Sequence, residues 1–212
     1  MPAEKGTNGT GQRMRMDDGT GYTTWSYDAR GRVSEVYQSI TGGGNFRTQW
    51  GYNSADLPVW MTYPENNGGT LGETVNYTYN NQMLLDRVYG ASTYVDDTWY
   101  DAAGRITLRE LGYGTSNHII GQTYTYSPWT QQGGRLQSLQ SGIPSDQDSL
   151  QSLSYNYDAV GNVETISDYH ATSNPSDPQV QAFGYDDLDR LINAQATNGE
   201  TNGRYPLQSY DY

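Results

Sequence analysis

A seven-residue frame recurs along this chain and constrains every other reading of it. Tyr27-Asp-Ala-Arg-Gly-Arg-Val33 returns as Tyr100-Asp-Ala-Ala-Gly-Arg-Ile106 and as Tyr157-Asp-Ala-Val-Gly-Asn-Val163. Tyr185-Asp-Asp-Leu-Asp-Arg-Leu191 keeps the frame with Asp189 in place of Gly, and Tyr52-Asn-Ser-Ala-Asp-Leu-Pro58 is a looser copy. Two further copies read as carrying about three extra residues in the turn: Tyr79-Asn-Asn to Asp86-Arg-Val88, and Tyr126-Ser-Pro to Gly134-Arg-Leu136. An eighth copy is expected to begin at Tyr210-Asp-Tyr212, where the sequence given ends. The mean period is about 26 residues, inside the window of repeat architectures whose units bury surface only against their neighbours.

Each unit predicts a β-hairpin. A second aromatic stands two residues before most anchor tyrosines (Trp25, Trp50, Tyr77, Tyr124, Tyr155 and Phe183), so both rings fall on one face of a strand. Asp28, Asp101, Asp158 and Asp186 then occupy the first position of a type I turn, where a short acceptor side chain bonds nearby amides. Gly31, Gly104 and Gly161 suit the left-handed position that closes a three-residue loop with a bulge. Asp56 and Asp189 are tolerable there because Asp visits that region more readily than most residues. The basic residue that follows (Arg32, Arg87, Arg105, Arg135, Arg190) is expected to pair with a turn Asp or stack on a Tyr. Clusters such as Gly42-Gly43-Gly44-Asn45 and Asn66-Asn67-Gly68-Gly69 mark loops between hairpins. Gln137–Leu153 is ambiguous, with room for a short helical turn. No helix of ten residues or more is expected.

The predicted fold class is therefore all-β: tandem hairpins in a curved, twisted antiparallel sheet. A flexible segment is expected over residues 1–12, followed by a single repeat domain over 13–212. Twenty Tyr and 25 Gly in 212 residues suit a half-buried pleated sheet with many turns.

Composition also excludes function classes. A net charge of −12, with 12 Lys and Arg against 24 Asp and Glu, argues against a nucleic-acid binder. No apolar run approaches the roughly 18 residues of a membrane-spanning helix, so membrane insertion is not expected. With no Cys, disulfides, thiolate metal sites and a Cys nucleophile are absent. His118 and His170 stand far apart and form no ligand pair. Paired carboxylates amid aromatics suit a glycosidase, but the Asp residues here are copied by the repeat, whereas a catalytic pair should break it. Asp146-Gln-Asp148 and Asp186-Asp-Leu-Asp189 gather oxygen ligands without an EF-hand or nonapeptide pattern, and they read as turn chemistry. No catalytic, cofactor or metal site is expected. Trp60, Trp99 and Trp129 lie off the repeat stripe and are the candidate glycan contacts.

The tyrosine-aspartate frame followed by Gly-Arg-apolar, closest at Tyr27, Tyr100 and Tyr157, resembles the Rhs, or YD-repeat, family. The resemblance covers roughly residues 15–212. It implies a long β-sheet spiralling into a hollow shell, of the kind found in Rhs proteins, insecticidal toxin complexes and teneurins. In bacterial toxins of this family the shell encloses a C-terminal toxic domain. The implied setting is extracellular or at the cell surface. The implied partners are the rest of a larger Rhs-type polypeptide or a toxin cargo, with a cell-surface glycan as the alternative. About seven hairpins are too few to close a shell, and the Asp-Pro-x-Gly segment linked to autoproteolysis is not found; the only Asp-Pro is Asp177-Pro178. The chain is thus expected to be a wall segment, truncated at its C-terminus, whose last strand invites edge-to-edge self-association.

Overall fold

The computed structural model describes residues 9–113, 120–170, 178–197 and 205–212. Its contacts divide the chain into two compact units, 1–96 and 97–212. The first holds β1 (Arg15–Asp18), β2 (Gly21–Tyr27), β3 (Val33–Ile40), β4 (Gly44–Tyr52), β5 (Pro58–Pro64), β6 (Leu71–Tyr79), β7 (Leu85–Tyr89) and the first half of β8 (Thr93–Tyr100). The second holds the rest of β8, then β9 (Ile106–Tyr113), β10 (Ile120–Tyr126), the short helix α1 (Trp129–Gln132), β11 (Leu136–Ile143), β12 (Asp146–Tyr157), β13 (Val163–Asp168), β14 (Gln179–Tyr185), β15 (Leu191–Thr197) and β16 (Tyr205–Ser209).

Within each unit the strands stand in the sheet in chain order, each antiparallel to the next. The all-β tandem-hairpin architecture is the one the frame predicts. Gln137–Leu153 resolves as strand throughout, with a tight turn between β11 and β12 and no helical turn. The one helical turn among the described residues is α1, ended by Gly133 in the left-handed conformation.

The register explains the second aromatic of each unit. Trp25 stands opposite Val36, which stands opposite Thr48. Trp50, Met61 and Val75 make the next such track, and Tyr77, Val88 and Val95 the one after. In the second unit the tracks are Tyr124–Leu139–Leu153, Tyr155–Ile166–Gln181 and Phe183–Ala194–Gln208. One ring and at least one apolar cross-strand partner thus cover each hairpin on one face, with Thr48, Gln181 and Gln208 ending three of the tracks. The alternate positions are polar: Thr62 Oγ1 lies 2.8 Å from Thr74 Oγ1, and Thr125 Oγ1 lies 2.6 Å from Ser138 Oγ.

Burial is shallow. Among the described residues, the buried apolar side chains are Tyr27, Val75, Ala194 and Ala196, and no side chain is fully enclosed. A sheet of this kind draws its stability from half-buried rings and cross-strand pairs rather than from a deep core.

Candidate functional site

The most organised part of the molecule is the row of YD turns. In the first, the Asp28 amide donates to the Arg32 carbonyl and the Gly31 amide to the Asp28 carbonyl, at 2.9 and 3.0 Å. Asp28 Oδ1 accepts the amides of Arg30 and Arg32, and Oδ2 accepts Arg32 Nε at 2.7 Å. The Asp101–Arg105 and Asp186–Arg190 turns repeat this network bond for bond. Asn53 and Asn80 reproduce its backbone half through Oδ1. The glycines behave as their spacing predicts: φ is +78° at Gly31 and Gly104 and +109° at Gly161. Asp56 and Asp189 take the same left-handed corner, at +64° and +59°. Strand register slips by one residue at the anchor tyrosines, as at Ser26/Tyr27, Gly51/Tyr52 and Asn156/Tyr157, which is the bulge a loop of this type requires.

Two expectations fail. The Tyr79 turn is not widened. The Asn80 amide meets the Leu84 carbonyl and the Met83 amide meets the Asn80 carbonyl, the same spacing as in the Asp28 turn. Met83 occupies the glycine corner at φ +62°, and Leu84 replaces the basic residue. Met83-Leu84 carries neither the Gly nor the Arg of the frame, and Arg87, the next basic residue, instead pairs with Asp96 at 2.7 Å in the next strand. The last copy is expected two residues too early. Arg190 stacks over Tyr212 at 4.9 Å, as Arg32 does over Tyr52 at 4.6 Å, and the Tyr210 amide meets the Ile192 carbonyl as the Trp25 amide meets that of Met14. Tyr212 is therefore the anchor, and Tyr210 is the aromatic two residues before it.

The Tyr126 turn is widened: the Ser127 amide reaches the Arg135 carbonyl, with α1 in the added residues. Arg135 has no turn Asp and stacks on Tyr157 at 5.7 Å. In the Asp158 turn Asn162 replaces Arg, bonding Asp158 Oδ2 and reaching Asp189 Oδ1 at 2.9 Å.

These turns are tied to one another. Within each unit, anchor hydroxyls donate to the first residue of the preceding return strand: Tyr52 to Val33, Tyr79 to Pro58, Tyr126 to Ile106, Tyr157 to Leu136 and Tyr185 to Val163, at 2.7–2.9 Å. The guanidiniums lean the same way. Arg32 reaches the Asn53 carbonyl and Asp56, and Arg105 reaches the Gly134 carbonyl at 2.6 Å while stacking on Tyr126 and Trp129. Residues 9–13 fit the same pattern upstream: the Tyr27 hydroxyl donates to the Arg13 carbonyl, and Gln12 Nε2 to the Gly31 carbonyl. Residues 1–8 of the expected flexible segment lie outside the described residues. The Tyr100 anchor is half-buried and keeps the turn geometry of the others.

The electrostatics follow the geometry. The Arg32, Arg105 and Arg190 side chains hold the carboxyls of Asp28, Asp101 and Asp186 below the usual carboxylate range. At Asp158 desolvation pushes the other way, yet the amides of Gly161 and Asn162, with the Asn162 side chain, leave the carboxyl lowered. Burial pushes the phenols of Tyr52, Tyr79, Tyr126, Tyr157 and Tyr185 upward. This arrangement holds and orients: the turn carboxylates are engaged in structural bonds.

The off-stripe tryptophans sit in three settings. Trp60 is half-buried, its indole lying across Gly51, where a Cβ would collide with it. Trp99 is 40% exposed in β8, and Trp129 is 65% exposed on α1 beneath Arg105. His170 is exposed and His118 lies outside the described residues. Among the described residues no three His, Asp or Glu converge as a metal site, and no helix is long and apolar enough to cross a membrane.

One feature of the first unit lies outside the repeat logic. Tyr63, Glu73, Val75, Tyr77, Val88 and Tyr94 line an open concavity of about 440 Å³. Period-two alternation puts Glu73, Val75 and Tyr77 on one face, but Tyr94 joins them only through the register shift at Val88/Tyr89, which no sequence signal announces.

No protein-family model matches this sequence, and no curated protein does. Solved structures do. The TcdB2–TccC3–Cdc42 structure matches 87% of this chain with a TM-score of 0.69 at 21% identity. TcdB2–TccC3 without its hypervariable C-terminal region matches 92% at 0.65 and 18% identity. The Photorhabdus luminescens Tc holotoxin pore matches 93% at 0.64 and 18% identity. This chain spans only 9% to 12% of the length of those chains. Turn rail and structural likeness together give the chain the tandem-hairpin, all-β fold that it shares with these solved structures.

Proposed function

We propose that the chain is a non-enzymatic wall segment of a larger secreted or surface-displayed polypeptide, built like the shell of an Rhs-type toxin, with residues 13–212 acting as one module. The observation that carries this is the directional rail. Within each unit the anchor hydroxyls of Tyr52, Tyr79, Tyr126, Tyr157 and Tyr185 and several turn cations reach into the neighbouring repeat, so that one hairpin can be added after another. A wall needs that property, and an active site does not. The partners of this reading are flanking YD repeats and a cargo, and the setting is extracellular. The repeat anchors Tyr27, Asp28, Gly31, Arg32, Tyr52, Tyr79, Tyr100, Asp101, Gly104, Arg105, Tyr126, Tyr157, Asp158, Gly161, Tyr185, Asp186 and Arg190 are then structural determinants of the wall.

The test is a chimera. Residues 13–212 replace the matching stretch of a TccC3-type shell, and protease protection of the enclosed domain is measured. Retained protection is the expected result; a shell that assembles but leaves its contents cleavable contradicts the reading. The second reading, a surface glycan binder, draws on the exposure of Trp99 and Trp129. Glycan-array binding lost on Trp129→Ala and on Trp60→Ala or Trp99→Ala would favour it.

A further inference from the structure

We propose that the concavity formed by Tyr63, Tyr77, Tyr94 and Glu73 is a binding site for a quaternary or alkyl ammonium group. Three observations support it. First, the lining has the chemistry such a cation selects: three phenol rings, an apolar floor of Val75 and Val88, and one carboxylate. Aromatic faces attract a cation within about 6 Å of the ring centre, and more strongly where water is displaced.

Second, the carboxylate is fixed in place. Glu73 Oε1 accepts the Tyr94 hydroxyl at 2.5 Å and the Ala91 amide at 2.7 Å. Gly90 is what allows it, because a Cβ there would collide with that oxygen. These same two donors hold the Glu73 carboxyl below its ordinary range, with the Tyr94 bond the larger cause, so it is anionic at neutral pH. Third, no internal cation competes. The nearest arginine in sequence, Arg87, is committed to Asp96, and among the described residues no arginine pairs with Glu73. Tyr63 and Tyr94 are about 40% exposed, so the mouth is open to solvent.

The site does not depend on the wall reading. A sugar would also stack on the aromatic faces and donate hydroxyls to the carboxylate, so glucose is the competing probe; an ammonium gains from the full negative charge as well as from the ring faces. The shared chemistry is the trimethylammonium or alkylammonium head, whether on a free small molecule, a lipid headgroup or a lysine-bearing peptide.

The experiment titrates the full chain with choline and with 3,3-dimethylbutan-1-ol, its neutral counterpart of the same shape, reading the ring and amide NMR signals of Tyr63, Tyr77, Tyr94 and Ala91. Choline should shift these signals and bind about tenfold more tightly than the alcohol. Glu73→Gln should erase that preference, and Tyr94→Phe, which keeps the ring but frees the carboxylate, should reduce it. Unchanged signals elsewhere in the sheet would show both variants folded. Phosphatidylcholine vesicles and a trimethyllysine peptide, as separate arms, identify the source. Equal binding of choline and alcohol, shifts with glucose matching those with choline, or no shift with any of these probes overturns the proposal.

Discussion

The two ends of the hairpins are built on different rules. At the YD end, the Asp28, Asp101 and Asp186 turns share one set of hydrogen bonds, and within each unit a tyrosine hydroxyl or a guanidinium ties neighbouring repeats together. At the opposite end the described connections share no common pattern. β1 and β2 are joined through Gly19 and Thr20, β5 and β6 through a six-residue loop, and β7 and β8 through Gly90-Ala91-Ser92. Asn45, at the start of β4, even forms an isolated parallel bridge with Gly68 in the loop between β5 and β6. One end of each hairpin therefore sets register and spacing for the array, while the other is free to vary in length. The concavity around Glu73 sits at the variable end, where function is gained without disturbing the repeat.

The sharpest way to break this contrast is to place the same kind of change at both ends. Gly104→Val forces a β-branched residue into φ +78° at the YD end and should cost more than about 1 kcal/mol in denaturant unfolding. Gly19→Ala, at a position with ordinary φ and no atom within 4 Å of the added Cβ, should change stability by no more than about 0.5 kcal/mol. Next comes the inter-repeat tie. Tyr157→Phe removes the bond to the Leu136 carbonyl and should cost about 1 kcal/mol. Tyr210→Phe, whose hydroxyl reaches only the exposed Gln208 side chain, should cost nothing measurable.

A smaller effect separates the cations. Arg105→Lys keeps the charge but loses the two-point grip on Asp101 and the stacking on Tyr126 and Trp129, so the melting temperature should fall. Arg30→Lys, in the solvent-exposed single-nitrogen pair with Asp56, should change it far less. The smallest effect is the acid response. Asp28, Asp101 and Asp186 have lowered pKa values in the fold, so the stabilisation they provide is complete above the unfolded value of 3.8 and drains away as pH falls through the folded values. Acid titration of Asp101→Asn, followed by circular dichroism, should show a shallower loss below about pH 4 than the unaltered chain.

How much was legible divides along the same line. Gly31, Gly104 and Gly161 were readable because a left-handed corner leaves a residue-type signature, and Asp28 or Asp101 because a turn acceptor does. The Tyr79 turn was misread because Met83 and Leu84 satisfy the same backbone geometry without those residue types. Tyr210 was taken for the anchor because Tyr-Asp is the stronger motif, although only Tyr212 lies under Arg190. The Glu73 concavity was invisible because it depends on a register slip, a property of pairing rather than of local sequence.

The central claim is that the YD turns, not the opposite loops, hold the repeats in register. Native-state amide hydrogen exchange tests it most directly. The amides of Asp28, Gly31, Asp101, Gly104, Asp186 and Asp189, all bonded within the YD turns, should be protected as strongly as neighbouring strand amides. The amides of Gly43, Gly69 and Gly90 at the other end are also hydrogen-bonded, so bonding alone would protect them equally. The account predicts that they exchange much faster than the YD set; equal protection at both ends, or faster exchange at the YD turns, would contradict it.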